Sequence, residues 1–198
     1  MAFMIAGESE LDLSVAHKIL SHFGYEVYGS FNKGGHAKLD ANLPGYANAS
    51  QQCPWLVLRD MDAAECPVSL ADQLIPNRHN YQNLLFRVVV REIESWILAD
   101  RAVFANFLGI SQVHIPAQPE SVEKPKQTLM ALAAHSRHRR LREGLIPREG
   151  SGARVGPEYN AILQKFVTSH WDAVRASDRA DSLARLMRHI ERWTEANS

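Results

Sequence analysis

Asp60 and Asp62 are the residues of this chain whose type and spacing most directly point to chemistry. They stand two apart, just after an apolar run, Pro54 to Leu58, that reads as a buried strand. In open α/β sheets, ligands gather beyond the carboxyl ends of the strands. Two carboxylates held there repel each other, and a divalent cation relieves the repulsion. Oxygen donors favour Mg2+, Mn2+ or Ca2+ over softer metals. The alternative is an Asx turn in which Asp62 caps the next helix.

Two further acidic groups follow apolar runs in the same way. Gly7-Glu8-Ser9-Glu10 closes the first run, where the acids are either ligands or complements to a helix N-terminus. Arg91-Glu92-Ile93-Glu94-Ser95-Trp96 closes a later one. On a helix Glu92 and Glu94 point in different directions, so at most one of them faces a shared site. Arg87 and Arg91 are available to Glu92 as ion-pair partners. Basic residues collect further on, at Lys124, Lys126, Arg137, Arg139, Arg140 and Arg142. They are either a phosphate-binding surface or a solvated helix face. The nine histidines show no HExxH or HxH spacing and the two cysteines have no partnered pattern, so no zinc site is expected. GxGxxG, GxxxxGK[ST] and GxSxG are all missing.

The elements that would position these residues can be read from the pattern. Ala2 to Gly7 is a strand. Ser9 caps a helix with Asp12 as capping-box acid, Leu11, Val15, Ile19 and Phe23 mark its buried side, and Gly24 ends it. Tyr25 to Phe31 alternates as a strand, and 32–36 is a loop. Residues 37–51 predict a short helix and a polar turn, interrupted at Pro44-Gly45. Val68 to Ile75 is a helix stopped by Pro76, Asn83 to Val90 a buried strand, and Arg91 to Asp100 a helix. Strands alternating with helices imply a largely parallel sheet flanked by helices. After Leu108 strand signals fade. A proline-rich loop, 115–125, precedes helical stretches at 127–141, 157–169 and 182–194. The expected organisation is an α/β core over 1–110 with a helical C-terminal extension, 111–198, packed on it.

Composition limits the setting. With 198 residues, 45% of them hydrophobic, the chain can bury a real core. No apolar run reaches about 18 residues, so no membrane span is expected. The start lacks the features of a signal peptide, and Cys53 and Cys66 read as reduced thiols of a cytoplasmic protein. Residues 1–100 carry 7 Lys/Arg against 12 Asp/Glu, and residues 101–198 carry 15 against 10. That division fits a metal site beside a polyanion surface, or two solvated faces of opposite sign.

Leu56 to Asp62 (LVLRDMD) followed by Cys66-Pro67, Leu85 to Asp100 (LFRVVVREIESWILAD) and Gly156-Pro157-Glu158-Tyr159-Asn160 together resemble a family of uncharacterised bacterial Toprim-like proteins. That family is related to the Toprim domain of topoisomerases, primases and the overcoming-lysogenization-defect nucleases. The resemblance implies a Toprim-like sheet, an acidic Mg2+ or Mn2+ site and phosphodiester chemistry. Asp60 and Asp62 match the paired aspartates. Many Toprim sequences read Glu-Gly at the end of the first strand, whereas Ala6 precedes Gly7 here, so the third carboxylate comes from Glu8 or Glu10. Glu8 lies nearer the strand end. The expected catalytic set is therefore Glu8, Asp60 and Asp62, and the expected metal ligands are these with Glu10. Glu92, Glu94, Arg91, Lys124 and Lys126 support the site or hold substrate.

The enzyme this implies is a metal-dependent nuclease, with DNA or RNA as substrate, a role in phage defence and a partner ATPase. The alternative is a Toprim-like binding module without turnover, acting through a protein or nucleic-acid partner.

Overall fold

The computed structural model describes residues 2–197. Four parallel strands form one sheet in the order β2-β1-β3-β4: β1 Ala2–Gly7, β2 Glu26–Asn32, β3 Trp55–Asp60 and β4 Leu84–Val89. Of the two central strands, β1 has no polar side chain and β3 is buried at every position, because strands covered on both faces have no side open to water. Between the strands lie α1 Glu10–His22, α2 His36–Ala49 and α3 Pro67–Leu74. After β4 the chain is helical: α4 Glu94–Ala99, α5 Arg101–Leu108, α6 Pro125–Ala134, α7 Arg139–Leu145, α8 Tyr159–Ser169, α9 Ala173–Ser177 and α10 Asp181–Asn197. The α/β class and the helical C-terminal third are as the sequence implies. No helix among the described residues is long and apolar enough to cross a membrane.

Strand alternation sorts the core into two clusters. Phe3, Ile5, Leu56, Leu58, Leu85 and Val89 point to the first face, which α1, α4, α5 and the helices after them cover. Ala6, Trp55, Val57, Leu84, Phe86 and Val88 point to the second face, which α2 and α3 cover. The helices beyond residue 110 thus share one continuous core with the sheet. Phe104 of α5 meets Phe166 of α8 edge to face at 5.2 Å between ring centroids, and Trp193 of α10 meets Phe3 of β1 at 5.0 Å.

Two expectations are corrected. Residues 36–49 are one continuous helix through Pro44, not a helix broken at Pro44-Gly45. Pro44 is exposed, and the burial of Leu39, Leu43, Tyr46 and Ala47 outweighs the hydrogen bond it cannot make. The expected helix over 127–141 is two helices, because the buried Ser136 hydroxyl donates to the Leu108 carbonyl and takes the chain out of register. A further pair, α5 and α9, is tied together through Asp100. Its carboxylate accepts from the Arg175 guanidinium at 2.8 and 3.1 Å and from the Asp172 backbone N–H at 3.1 Å.

Candidate metal centre

Asp60 is the last residue of β3, so it and its neighbour Arg59 must point to opposite faces. Asp60 falls in step with Leu56 and Leu58 and turns to the first face. There it meets Asp12, from the first turn of α1, and Glu94, the first residue of α4. Arg59 turns to the second face and pairs with Asp40 of α2 at 3.0 Å. The acidic end of the sheet is thereby split into an inner and an outer group.

The inner group is Asp12, Asp60 and Glu94, all buried. Asp12 serves the capping box of α1: its Oδ2 accepts from the Ser9 N–H at 2.7 Å and from the Ser9 hydroxyl at 2.9 Å. Gly7 makes room for it, since a Cβ there would lie 2.6 Å from the Asp12 Cβ. Glu94 Oε1 accepts from the Tyr159 hydroxyl at 2.9 Å and lies 3.5 Å from Lys126 Nζ. Tyr159 is delivered by the close approach of the loop at Gly156 to the end of α7. Gly156 N–H donates to the Leu145 carbonyl, and a side chain at Gly156 would collide with the backbone of Gly144 and Leu145.

Two inner oxygens, Asp60 Oδ1 and Glu94 Oε2, are buried without any hydrogen-bond partner among the described residues. Burial raises the pKa of all three carboxyls. Asp12 is pushed up to about 7, with Glu8 and Glu94 adding to the effect. Asp60 is pushed well above its ordinary value by burial and then by Asp12, Glu94 and Glu8, against Lys126. Glu94 is raised by burial and Glu92, against Lys126 and the Tyr159 hydrogen bond. Burial opposes the charge on Lys126, but Glu94 and Glu92 outweigh it and raise its pKa.

The outer group is Glu8, Asp40, Asp62 and His36, gathered around the buried Arg59. The Arg59 Nη1 lies 2.7 Å from Asp62 Oδ2 and 3.3 Å from Glu8 Oε1. It also donates to the Asp60 carbonyl. Asp62 sits in the left-handed region at φ 52° and is 43% exposed. Glu8, His36 and Asp62 offer ligand atoms within 4.8 Å of one another. That compact trio already holds a guanidinium, which supplies the positive charge a cation would bring. Glu8 stands on the boundary: its Oε1 also accepts from the Asp60 N–H at 3.0 Å. Burial raises its pKa, although Arg59 and the Asp60 hydrogen bond work against the rise.

Of the residues expected to bind metal, Glu8 and Asp60 are brought side by side. Asp62 diverges to the rim, because Asp60 is the last strand residue and the chain turns sharply after it. Glu10 is turned away: its exposed carboxylate accepts from Asn32 Nδ2 at 2.8 Å, at the end of β2. Of the acids after β4, Glu94 faces the cluster and Glu92 does not. Glu92 caps α6 instead, accepting from the Lys126 backbone N–H at 2.9 Å. Its ion partner is Lys126, at 3.9 Å, rather than Arg87 or Arg91. Arg91 spans to the carbonyls of Asp62 and Ala64 and fixes the turn after β3. Lys124 is exposed, and its side chain has no ion pair among the described residues, while Lys126 reaches the inner group. The Arg137–Arg142 run is mostly spent locally: Arg139 pairs with Glu143, Arg140 with Glu158, and Arg142 donates to the Ser136 carbonyl.

Sequence reading missed the roles of Arg59, His36, Asp40 and Tyr159, and saw Asp12 only as a cap. Strand parity was the available signal for Arg59. Compared with known proteins, the chain matches no protein-family model, no curated protein and no solved structure.

Proposed function

We propose that this chain is a divalent-metal-dependent phosphodiester-processing protein, a nuclease of Toprim-like type acting on DNA or RNA in the cytoplasm. The observation that carries this reading is the pair of orphaned, buried oxygens, Asp60 Oδ1 and Glu94 Oε2, amid carboxyls that crowd one another. Unpaired buried carboxylates are costly, and a hard cation is the partner that would satisfy them. Glu8, Asp60 and Glu94 would hold Mg2+ or Mn2+, with Asp12 beside them and Asp62 and His36 at the rim. Such an ion keeps several waters and needs only one or two direct carboxylates, so not all three need touch it. Bound there, it would polarise a phosphoryl oxygen and offset developing negative charge. Lys126 stands at the same place to neutralise Glu94 or to meet a phosphate. The role in phage defence and the partner ATPase belong to the Toprim resemblance.

A binding module without turnover is the second reading, and Arg59 favours it. A guanidinium lodged between Glu8 and Asp62 takes the place of a cation at the rim. The deciding experiment is cleavage of single- and double-stranded DNA and of RNA, tRNA included, in Mn2+ or in chelator. Metal-dependent cleavage by the wild type, abolished in Asp60→Asn, is the expected result. No cleavage of any substrate in Mn2+, by a protein that still binds nucleic acid, would leave the binding module.

A further inference from the structure

β4 is an edge strand, and a groove of about 900 Å3 runs along it from Leu84 to Val90. At about 3.3 Å per residue that path is roughly 20 Å long. One wall comes from α3 and is apolar, with Val68 and Ala71 beside Phe86 and Val88 of the strand. The other wall comes from α10 and is basic. Arg185 and Arg192 line it, and Arg188, outside the lining, lies on the same side of α10 by helical spacing.

Arg87 projects from β4 on the face that α10 covers, between the core residues Leu85 and Val89. Its Nε is buried and has no hydrogen-bond partner among the described residues. One Nη2 contact remains, to the Arg185 backbone carbonyl at 3.3 Å. Among the described residues no carboxylate pairs with Arg87, Arg188 or Arg192. Arg78 and Arg185 each have one partner, Asp72 and Asp181. Glu120, the remaining acid of the groove, is engaged with Ser182. Burial, and then the crowding of Arg78, Arg185, Arg188 and Arg192, lower the Arg87 guanidinium to about 10. Positive charge is therefore concentrated around a half-buried guanidinium that has an unused donor.

Phosphate is the anion that fits this arrangement, since a guanidinium fork binds its oxygens in pairs. The length of the groove and the spread of its arginines call for several phosphates in a row. The apolar wall suits the faces of unpaired bases, which a duplex hides. At its far end the groove reaches Val90, next to Val89, which pairs in register with Asp60.

We propose that the β4 groove binds the phosphate backbone of a single-stranded nucleic acid, anchored on Arg87, and leads the strand to the acidic end. The destination of the strand rests on the phosphodiester reading above, whereas its binding does not.

The test is fluorescence anisotropy of a short labelled single strand, DNA or RNA, in chelator at about 50 mM salt. The wild type should bind, and more weakly as salt rises. Arg87→Gln should weaken binding by about tenfold or more, and Arg192→Gln by a few fold. Arg192 is exposed, so its variant keeps the test valid if Arg87→Gln melts early. Arg139→Gln, in the exposed basic run, should bind as the wild type does. If both groove variants bind the strand normally, the proposal is wrong. It is equally wrong if pyrophosphate binds and is lost in Arg87→Gln while no strand binds, because the groove then serves a small phosphorylated ligand. Strand binding that needs Arg87, in a protein inert to Mn2+, upholds the groove and sinks the phosphodiester reading. Metal-dependent cleavage indifferent to Arg87→Gln does the reverse.

Discussion

The inner and outer carboxylates of the acidic end lie within a few residues of one another, yet they differ in how their charge is balanced. Glu8, Asp40 and Asp62 surround Arg59, and three ion pairs of 2.7 to 3.3 Å close that group on itself. Among the described residues, Asp12, Asp60 and Glu94 have only the Lys126 ammonium as a cation, 3.5 Å from one of them, and two of their oxygens have no partner. Strand parity makes the division: one residue along β3 carries the charge from one face of the sheet to the other. The outer group is built like a structural ion-pair network. The inner group is built like a site, because its cost in the free protein is not met by its own residues.

Arg59→Gln should have the largest effect on stability. It leaves Glu8, Asp40 and Asp62 facing each other without a cation. Removing one member of a fully buried pair costs about 3 to 5 kcal/mol. Here the partners are partly exposed, so a loss of about 3 kcal/mol is expected in denaturant melts. Mn2+ should restore part of it by binding to Glu8, His36 and Asp62, whose ligand atoms lie within 4.8 Å of one another. A variant as stable as the wild type would erase the contrast between the two groups.

The metal response should come next. At a free ion concentration 100 times the dissociation constant, binding to the folded state alone adds about 2.7 kcal/mol. Asp60→Asn should melt no lower than the wild type in chelator and gain little from Mn2+. Asp62→Asn should keep most of the gain, because its carboxylate is spent on Arg59. If Asp62→Asn loses the response and Asp60→Asn keeps it, the outer group is the metal centre.

The acidic strand ends and the parallel sheet were legible in the sequence, because apolar runs that end in acids carry their own position. Asp60 and Glu8 were found for that reason. That Asp60 would feel the charge of Glu94, and that Glu94 would bond to Tyr159, was not legible. It depends on α8 arriving from 65 residues away through the Gly144–Gly156 crossing. The groove arginines were not legible as a cluster for a related reason. A dense run at 137–142 stands out in the sequence, whereas Arg78, Arg87, Arg185 and Arg192 are scattered and meet only when α10 lies along β4.

The pH dependence of stability should separate the groups further. A carboxyl whose pKa is raised by folding keeps its proton while the unfolded chain has lost its own. Its contribution is therefore fully present at low pH and is lost as pH rises towards the folded pKa. For Asp12 that window runs from about 4 to about 7. Without metal, the protein should lose stability across it, by no more than about 1.4 kcal/mol per pH unit for each proton. Asp12→Asn can still accept the Ser9 hydrogen bonds and should flatten part of the slope. Urea melts at pH 5, 6, 7 and 8 read it directly. A slope of the opposite sign would mean that the inner carboxyls are ionised and well solvated.

Tyr159→Phe should have the smallest effect, and its sign with pH is informative. The hydroxyl donates to Glu94 and favours the ionised carboxylate. Losing one such bond should cost about 1 to 1.5 kcal/mol. The cost should be greatest where Glu94 is ionised, because a charged, buried oxygen is then left bare. As pH falls through the raised pKa of Glu94, the carboxyl takes up a proton and the penalty should shrink. In Mn2+ the penalty should also shrink, since a cation held by Glu94 replaces the lost donor. A penalty that is the same at every pH, with and without metal, would show that Tyr159 merely packs against Glu94 and that the inner group does not hold the ion.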